Sequence, residues 1–155
     1  MTAGILTDAG PLVAILHRND RDHVRCVEAL KGLREPLLTT WIPITEAMYL
    51  LSFSPGAQDA LLQMIERGAL HVLALGADDL PPIRALMRKY ADRPMDFADA
   101  SLMRMAEREN IRRVFTLDRR DFATYGGASN IRSPMTSGRW ISRAMWRFST
   151  AVVTP

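Results

Sequence analysis

The chain has 155 residues, 48% of them hydrophobic, which is enough to bury the core of one globular domain. Its net charge of +3 is unevenly placed, because residues 131–155 hold four arginines and no acid, which leaves the rest of the chain at 3 − 4 = −1. The body of the protein is therefore not basic, and its overall charge alone gives little support for a nucleic-acid partner.

Cysteine usage and the N-terminus indicate where the protein works. Cys26 is the one cysteine, so an internal disulfide is excluded, and its apolar neighbours predict a core or boundary position on a helix. The N-terminus lacks the basic and apolar regions of a signal peptide, and no stretch approaches the roughly 18 apolar residues of a membrane span. We therefore expect a soluble, cytoplasmic protein without a membrane partner.

Short apolar runs that suit buried strands alternate with helical patterns along the chain. The predicted strands are Ile5–Asp8, Leu37–Thr40, Leu70–Leu75 (apolar enough to be covered on both faces) and Arg113–Leu117, with a fifth candidate at Asn130–Arg132. The predicted helices include Pro11–His17, Ile44–Phe53 and Phe97–Glu109. Such alternation predicts an α/β fold in which helices cover both faces of a central parallel sheet of four or five strands.

Acidic side chains recur where these elements would meet. Asp8 and Asp118 end predicted strands, while Glu46, Asp96 and Asp99 fall in the first turn of predicted helices. In a parallel α/β sheet the carboxyl ends of the strands and the starts of the following helices share one edge, where ligands bind. The five carboxylates could therefore meet at this edge.

Helix capping is an alternative explanation for each acid considered alone, and it fits Glu46 least, because this residue has apolar neighbours on both sides inside its predicted helix. An acid near a helix N-terminus stabilises the helix by about 0.3–1 kcal/mol, and Asp96, directly before Phe97, has the clearest capping position. A cluster is different, because two carboxylates about 4 Å apart repel by roughly 4 kcal/mol at an effective dielectric of 20. Oxygen ligands without histidine or cysteine favour Mg²⁺ or Mn²⁺, which suit phosphodiester hydrolysis.

Four stretches of the chain resemble the PIN-domain ribonucleases, in particular the VapC-type toxins of bacterial toxin–antitoxin modules. In the family's order they are Leu6–Ala14, Thr45–Leu51, Met95–Leu102 and Thr116–Phe122. The resemblance implies a three-layer α/β/α PIN-like domain over residues 1–132. Residues 133–155 form a basic C-terminal extension, either helical or disordered, that departs from the family pattern.

By position, the resemblance assigns the catalytic acids, which are also metal ligands, to Asp8, Glu46, Asp99 and Asp118. It adds Asp96 as a further metal ligand and places two more residues beside the site, Thr116 and Asp121. Arginines that could guide a phosphate backbone to this edge are Arg119 and Arg120, which directly follow Asp118, and then Arg93, Arg112 and Arg113.

The activity that the resemblance implies is cleavage of RNA by an endoribonuclease that depends on Mg²⁺ or Mn²⁺ and leaves a 5′-phosphate. The implied partners are the RNA substrate, a cognate antitoxin protein and a second copy of the chain, with Met48, Leu51 and Met64 as candidate dimer contacts. Two other functions stay open. One is a catalytically silent PIN-like RNA-binding module, and the other is a metal-dependent DNA nuclease or phosphatase of related fold.

Overall fold

The structure, a computed structural model, describes residues 3–92 and 95–117. In these ranges strands and helices alternate as predicted, in the order β1 (Ile5–Thr7), α1 (Ala9–Leu16), α2 (His23–Lys31), β2 (Leu37–Thr39), α3 (Trp41–Leu50), α4 (Pro55–Glu66), β3 (Leu70–Val72), a 3₁₀ turn (Ala77–Asp79), α5 (Leu80–Lys89), α6 (Phe97–Glu109) and β4 (Val114–Phe115).

The four strands form one sheet in the order β3-β2-β1-β4, and every pairing is parallel. Side chains alternate between its two faces. Ile5 packs in a core cluster with α1 to α4, whereas its neighbour Leu6 packs with α5 and α6. The protein is thus a three-layer α/β/α sandwich, which confirms the predicted fold class.

Cys26 is fully buried in the cluster beneath α1 to α4, as its helical spacing predicted. Burial, and secondarily the negative charge of Asp22, raises the pKa of its thiol to about 12. The thiol therefore stays protonated at neutral pH and acts as a small apolar residue.

Two helices begin earlier than their prolines suggested. Helix α1 starts at Ala9 rather than at Pro11, and α3 runs from Trp41 to Leu50 rather than from Ile44 to Phe53. Each proline occupies the third helical position, where a backbone N–H would have no partner within the helix. Proline at this position therefore costs no helical hydrogen bond.

Strand β3 is shorter than predicted and is not covered on both faces. It ends at Val72 and lies at the edge of the sheet, where Leu70 is buried but His71 is exposed. His71 pairs in register with Leu38, which α5 and α6 cover, so this helical layer stops short of the edge strand.

Several sequence predictions lie outside the described residues. They are the break at Arg93–Pro94, the strand end at Asp118, the fifth strand candidate at 130–132 and the extension 133–155. Within the described ranges, no helix combines the length and the apolar character needed to cross a membrane.

An ionic cluster joins the segment after β3 to helix α6. Asp79 is 3% exposed and accepts hydrogen bonds from Arg104 Nε at 2.8 Å, Arg108 Nη1 at 2.6 Å and the backbone N–H of Gly76 at 3.0 Å. Arg108 also donates through Nη2 to the carbonyl oxygen of Ala74 at 2.8 Å. The Gly76 N–H and the two guanidinium groups outweigh burial and lower the pKa of Asp79.

Replacing Asp79→Asn should lower the free energy of unfolding by about 2–3 kcal/mol, because two partly buried arginines lose their counter-charge. A carboxyl whose folded-state pKa is lowered stabilises the protein above its unfolded-state pKa, and this stability is lost as pH falls through the folded-state value. Urea unfolding from neutral pH into the acid range should therefore show a weaker pH dependence for Asp79→Asn than for the wild type.

The neighbouring Asp78 is exposed and supplies the matched control. Asp78→Asn should change stability by less than about 0.5 kcal/mol. Equal effects of the two substitutions would contradict a structural role for the Asp79 cluster.

Candidate active site

Asp8 directly follows β1, and its carboxylate accepts hydrogen bonds at the carboxyl edge of the sheet. Its Oδ1 accepts from the backbone N–H of Ala9 at 2.8 Å and thereby caps α1. Its Oδ2 accepts from the hydroxyl of Thr116 at 3.3 Å, and Thr116 follows β4. The structure therefore brings together two of the predicted site residues, which are 108 positions apart in sequence.

Glu46 lies in the second turn of α3, not in the first turn as predicted, because the helix begins at Trp41. The residue is exposed, yet the pKa of its carboxyl is raised, first by partial loss of hydration and then by the negative charges of Asp8 and Asp96. Acids from three separate elements thus act on one another electrostatically.

Asp96 and Asp99 form a capping box at the start of α6. The Asp99 N–H donates to Asp96 Oδ1 at 2.8 Å, and the Asp96 N–H donates to Asp99 Oδ2 at 3.4 Å. The capping role predicted for Asp96 is confirmed. Capping involves one oxygen of each carboxylate, so it is compatible with a second interaction at the other oxygen.

Buried hydroxyl groups beneath this edge were not singled out from the sequence. Thr7, Thr39, Thr40 and Ser101 are fully buried. The Thr39 hydroxyl donates at 3.0 Å to the carbonyl oxygen of Thr7, the residue immediately before Asp8. Paired threonines at the end of a predicted strand are a visible signal, but their partners depend on the fold.

The chemistry of the gathered side chains suits a hard divalent cation, since every predicted ligand is a carboxylate. Within residues 3–92 and 95–117, no three acidic, histidine or cysteine side chains lie close enough to hold one ion. Asp118, the fourth predicted catalytic acid, and Asp121 lie outside these ranges. The donor set therefore fits Mg²⁺ or Mn²⁺ in kind, and the described residues supply only part of it.

The arginines predicted to guide a phosphate backbone are not gathered at this edge in the described part of the chain. Arg113 donates to Glu35 and, with Arg112, precedes β4, whereas Thr116 follows that strand. Arg112 and Arg113 therefore lie towards the opposite edge of the sheet. Three further candidates, Arg93, Arg119 and Arg120, fall outside the described residues and stay predictions.

Residues 5–128 match the PIN domain family, which covers most of the chain and all the strands described above. The chain belongs to the PIN-domain family. Within that family it is similar to VapC proteins, and the resemblance to the VapC type is confirmed. Ribonuclease VapC26 of Mycobacterium tuberculosis is 27% identical over 121 residues, which are 77% of this chain and 90% of that protein.

A solved structure supports the same fold. The crystal structure of VapC20 of Mycobacterium tuberculosis, described as a sarcin-ricin loop cleaving toxin, matches with a TM-score of 0.71. The match covers 78% of this chain and 95% of VapC20 at 18% sequence identity. At this identity the likeness concerns the α/β/α architecture alone.

Replacing Glu46→Gln should stabilise the protein in EDTA at neutral pH. A carboxyl whose folded-state pKa is raised lowers stability once pH rises through that pKa, because the folded state then carries the repelling charge. For an exposed side chain in a domain of this size, we expect a gain of about 1–3 °C in melting temperature. The gain should vanish once pH falls below the ordinary pKa of a glutamate side chain, about 4.3, because the folded and the unfolded state then carry the same charge.

Glu66→Gln removes an exposed acid at the end of α4 and serves as the control. Thermal melts of both variants at the two pH values separate local repulsion from a general effect of charge. A similar gain in both variants, or a gain that persists in acid, would contradict repulsion at Glu46.

Proposed function

We propose that this protein is an endoribonuclease that depends on Mg²⁺ or Mn²⁺ and acts as the toxin of a type II toxin–antitoxin pair. The observation that carries the proposal is the carboxylate of Asp8, which Thr116 holds at the carboxyl edge of a PIN-domain sheet and whose negative charge acts on Glu46. The name of VapC26 as a ribonuclease supports the choice of RNA.

The acids at this edge would act together on a phosphodiester. Asp8, Glu46, Asp96 and Asp99 would hold the cation with Asp118. When bound, the cation supplies positive charge that offsets the carboxylates and the phosphate, and it makes the attacking water more acidic. Hydrolysis forms a bond from the water oxygen to phosphorus and breaks the bond to the ribose 3′ oxygen, which leaves a 5′-phosphate and a 3′-hydroxyl.

The protein's own groups have distinct tasks in this scheme. Asp8 is oriented by Thr116 and the Ala9 N–H, so its carboxylate is fixed before any ligand binds. Glu46, on which the negative charges of Asp8 and Asp96 act, would bring a further carboxylate from α3 to the cation. Asp99 is oriented through the capping box with Asp96.

Asp8→Asn and Asp99→Asn should each reduce RNA cleavage by at least about 100-fold in the presence of Mn²⁺, because a charged ligand is lost. Asparagine keeps an acceptor oxygen, so helix capping and folding should be preserved. Cleavage of a defined RNA by purified protein, together with Mn²⁺ titration calorimetry, provides the measurement. Asp59→Asn, which alters an exposed acid on α4, should leave both quantities unchanged.

The same experiment separates the other functions. Cleavage and Mn²⁺ binding that survive in both site variants would overturn the site assignment. RNA binding without cleavage by the wild type would favour a silent RNA-binding module, and cleavage of DNA but not RNA would favour the DNA nuclease. In cells, expression should arrest growth for the wild type but not for Asp8→Asn. A small DNA-binding protein encoded directly upstream, as the antitoxin, should relieve the arrest.

We also propose that the protein forms a homodimer through the C-terminal part of α3. Of the contacts suggested by sequence, Leu51 is fully buried in the core and cannot supply this surface. Three apolar side chains at the same end of the helix are exposed instead, namely Tyr49 at 77%, Leu50 at 45% and Phe53 at 61%. Exposed apolar side chains this close together are typical of a contact with another protein surface.

Light scattering of the purified chain should give twice the mass of one chain, and Tyr49→Lys should shift it towards the monomer. Leu80→Lys places the same charge at an exposed leucine on α5 and should leave the dimer intact. A monomeric wild type, or equal dissociation of both variants, would contradict an interface on α3.

A further inference from the structure

Two buried hydroxyl groups connect the helix that carries Glu46 to the helix that carries Asp99. Thr40 Oγ1 and Ser101 Oγ lie 3.1 Å apart, and both residues are fully buried. Thr40 is the N-cap of α3, and Ser101 lies in α6 two positions after Asp99. We call this contact the hydroxyl bridge.

Counting hydrogens fixes the direction of the hydroxyl bridge. A serine hydroxyl has one hydrogen, and Ser101 donates it to the carbonyl oxygen of Ala98 at 2.7 Å. Thr40 must therefore donate to Ser101. The oxygen of Thr40 in turn accepts from the backbone N–H of Ile42 at 3.4 Å. The cap of α3 is thus linked through two side chains to the backbone of the first turn of α6.

The hydroxyl bridge is a directional contact between α3 and α6 near their starts. Apolar packing between the two helices has no directional preference. A buried hydrogen bond has a directional preference, because it weakens when its donor and acceptor separate or tilt. The bridge therefore sets the spacing between the two helix starts in a way that packing alone does not.

We propose that Thr40 and Ser101 are positioning residues that hold Glu46 at the distance from Asp96 and Asp99 that divalent-cation binding requires. This inference rests on the proposed function for the identity of the ligand. Neither hydroxyl touches the cation. Each acts by orienting the helix that carries a ligand, and groups of this kind change metal affinity by about 10- to 100-fold when they are removed.

Thr40→Val, Ser101→Ala and the double variant test the proposal in the full-length protein. Mn²⁺ affinity measured by titration calorimetry should fall about tenfold in each single variant, and by no more in the double variant, because both changes break the same bridge. Thr40→Ser keeps the hydroxyl and should restore affinity to near the wild-type value. Alanine favours helix formation, so Ser101→Ala should fold. This variant therefore tests the proposal even if Thr40→Val does not fold.

A control separates positioning from a loss of stability. Ser54 caps α4 with its hydroxyl, which accepts from the Ala57 N–H at 3.2 Å. Ser54→Ala should lower the melting temperature by a similar amount without changing Mn²⁺ affinity. Affinity that is unchanged in Thr40→Val and Ser101→Ala, or that falls equally in Ser54→Ala, would overturn the proposal.

Hydrogen exchange without metal provides a second measurement. Ser101→Ala should speed amide exchange in the first two turns of α3, although the substitution lies on α6, and Thr40→Val should do the same at the start of α6. Faster exchange confined to the substituted helix would overturn the bridge as a link between the helices. A wild-type protein that binds no Mn²⁺ would overturn the proposed function, whereas wild-type binding with unaltered variants would overturn the positioning role alone.

Discussion

The parallel pairing of β1 with both β2 and β4 determines where Asp8 and Thr116 lie. The described strands have at most three residues, and the Asp8 N–H still donates to the carbonyl oxygen of Phe115 at 3.2 Å beyond the end of β1. A slip of one residue would move Ile5 and Leu6 into the wrong core layers. The apolar alternation that fixes the register of β1 therefore also fixes the position of Asp8, which directly follows it.

At the carboxyl edge of the sheet, the fold brings negatively charged side chains close enough to repel one another. Partial loss of hydration, and then the negative charges of Asp8 and Asp96, raise the pKa of Glu46 in the folded state. Helix capping fixes the other acids: the Asp8 side chain caps α1, and the side chains of Asp96 and Asp99 each accept a hydrogen bond from the other's backbone N–H. The acids that cap helices are thus the same acids that repel one another. A role in helix capping and a role in cation binding are therefore compatible for these side chains.

Sequence patterns predicted the layers of the fold and the position of Asp8 at the carboxyl edge, because alternating strands and helices restrict the topology strongly. Thr116 was predicted beside the site only from the family resemblance. The sequence patterns misplaced the start of α3. A proline can occupy any position of the first helical turn, and Pro43 is the third residue of α3 rather than a residue at its start. The sequence patterns could not predict the hydroxyl bridge, for a different reason. Thr40 and Ser101 are 61 positions apart, and two small polar residues show a partnership only after folding brings them together.

Helix α6 is anchored at two places by different kinds of interaction. Towards its C-terminal half, Arg104 and Arg108 bind the buried carboxylate of Asp79, whereas near its start Ser101 bonds to the uncharged Thr40. An arginine or lysine at the second anchor would neutralise the neighbouring carboxylates and compete for their oxygens. Neutral hydroxyl groups join the helices without adding charge. Under the proposed function, this leaves the negative charge of the site available to a cation.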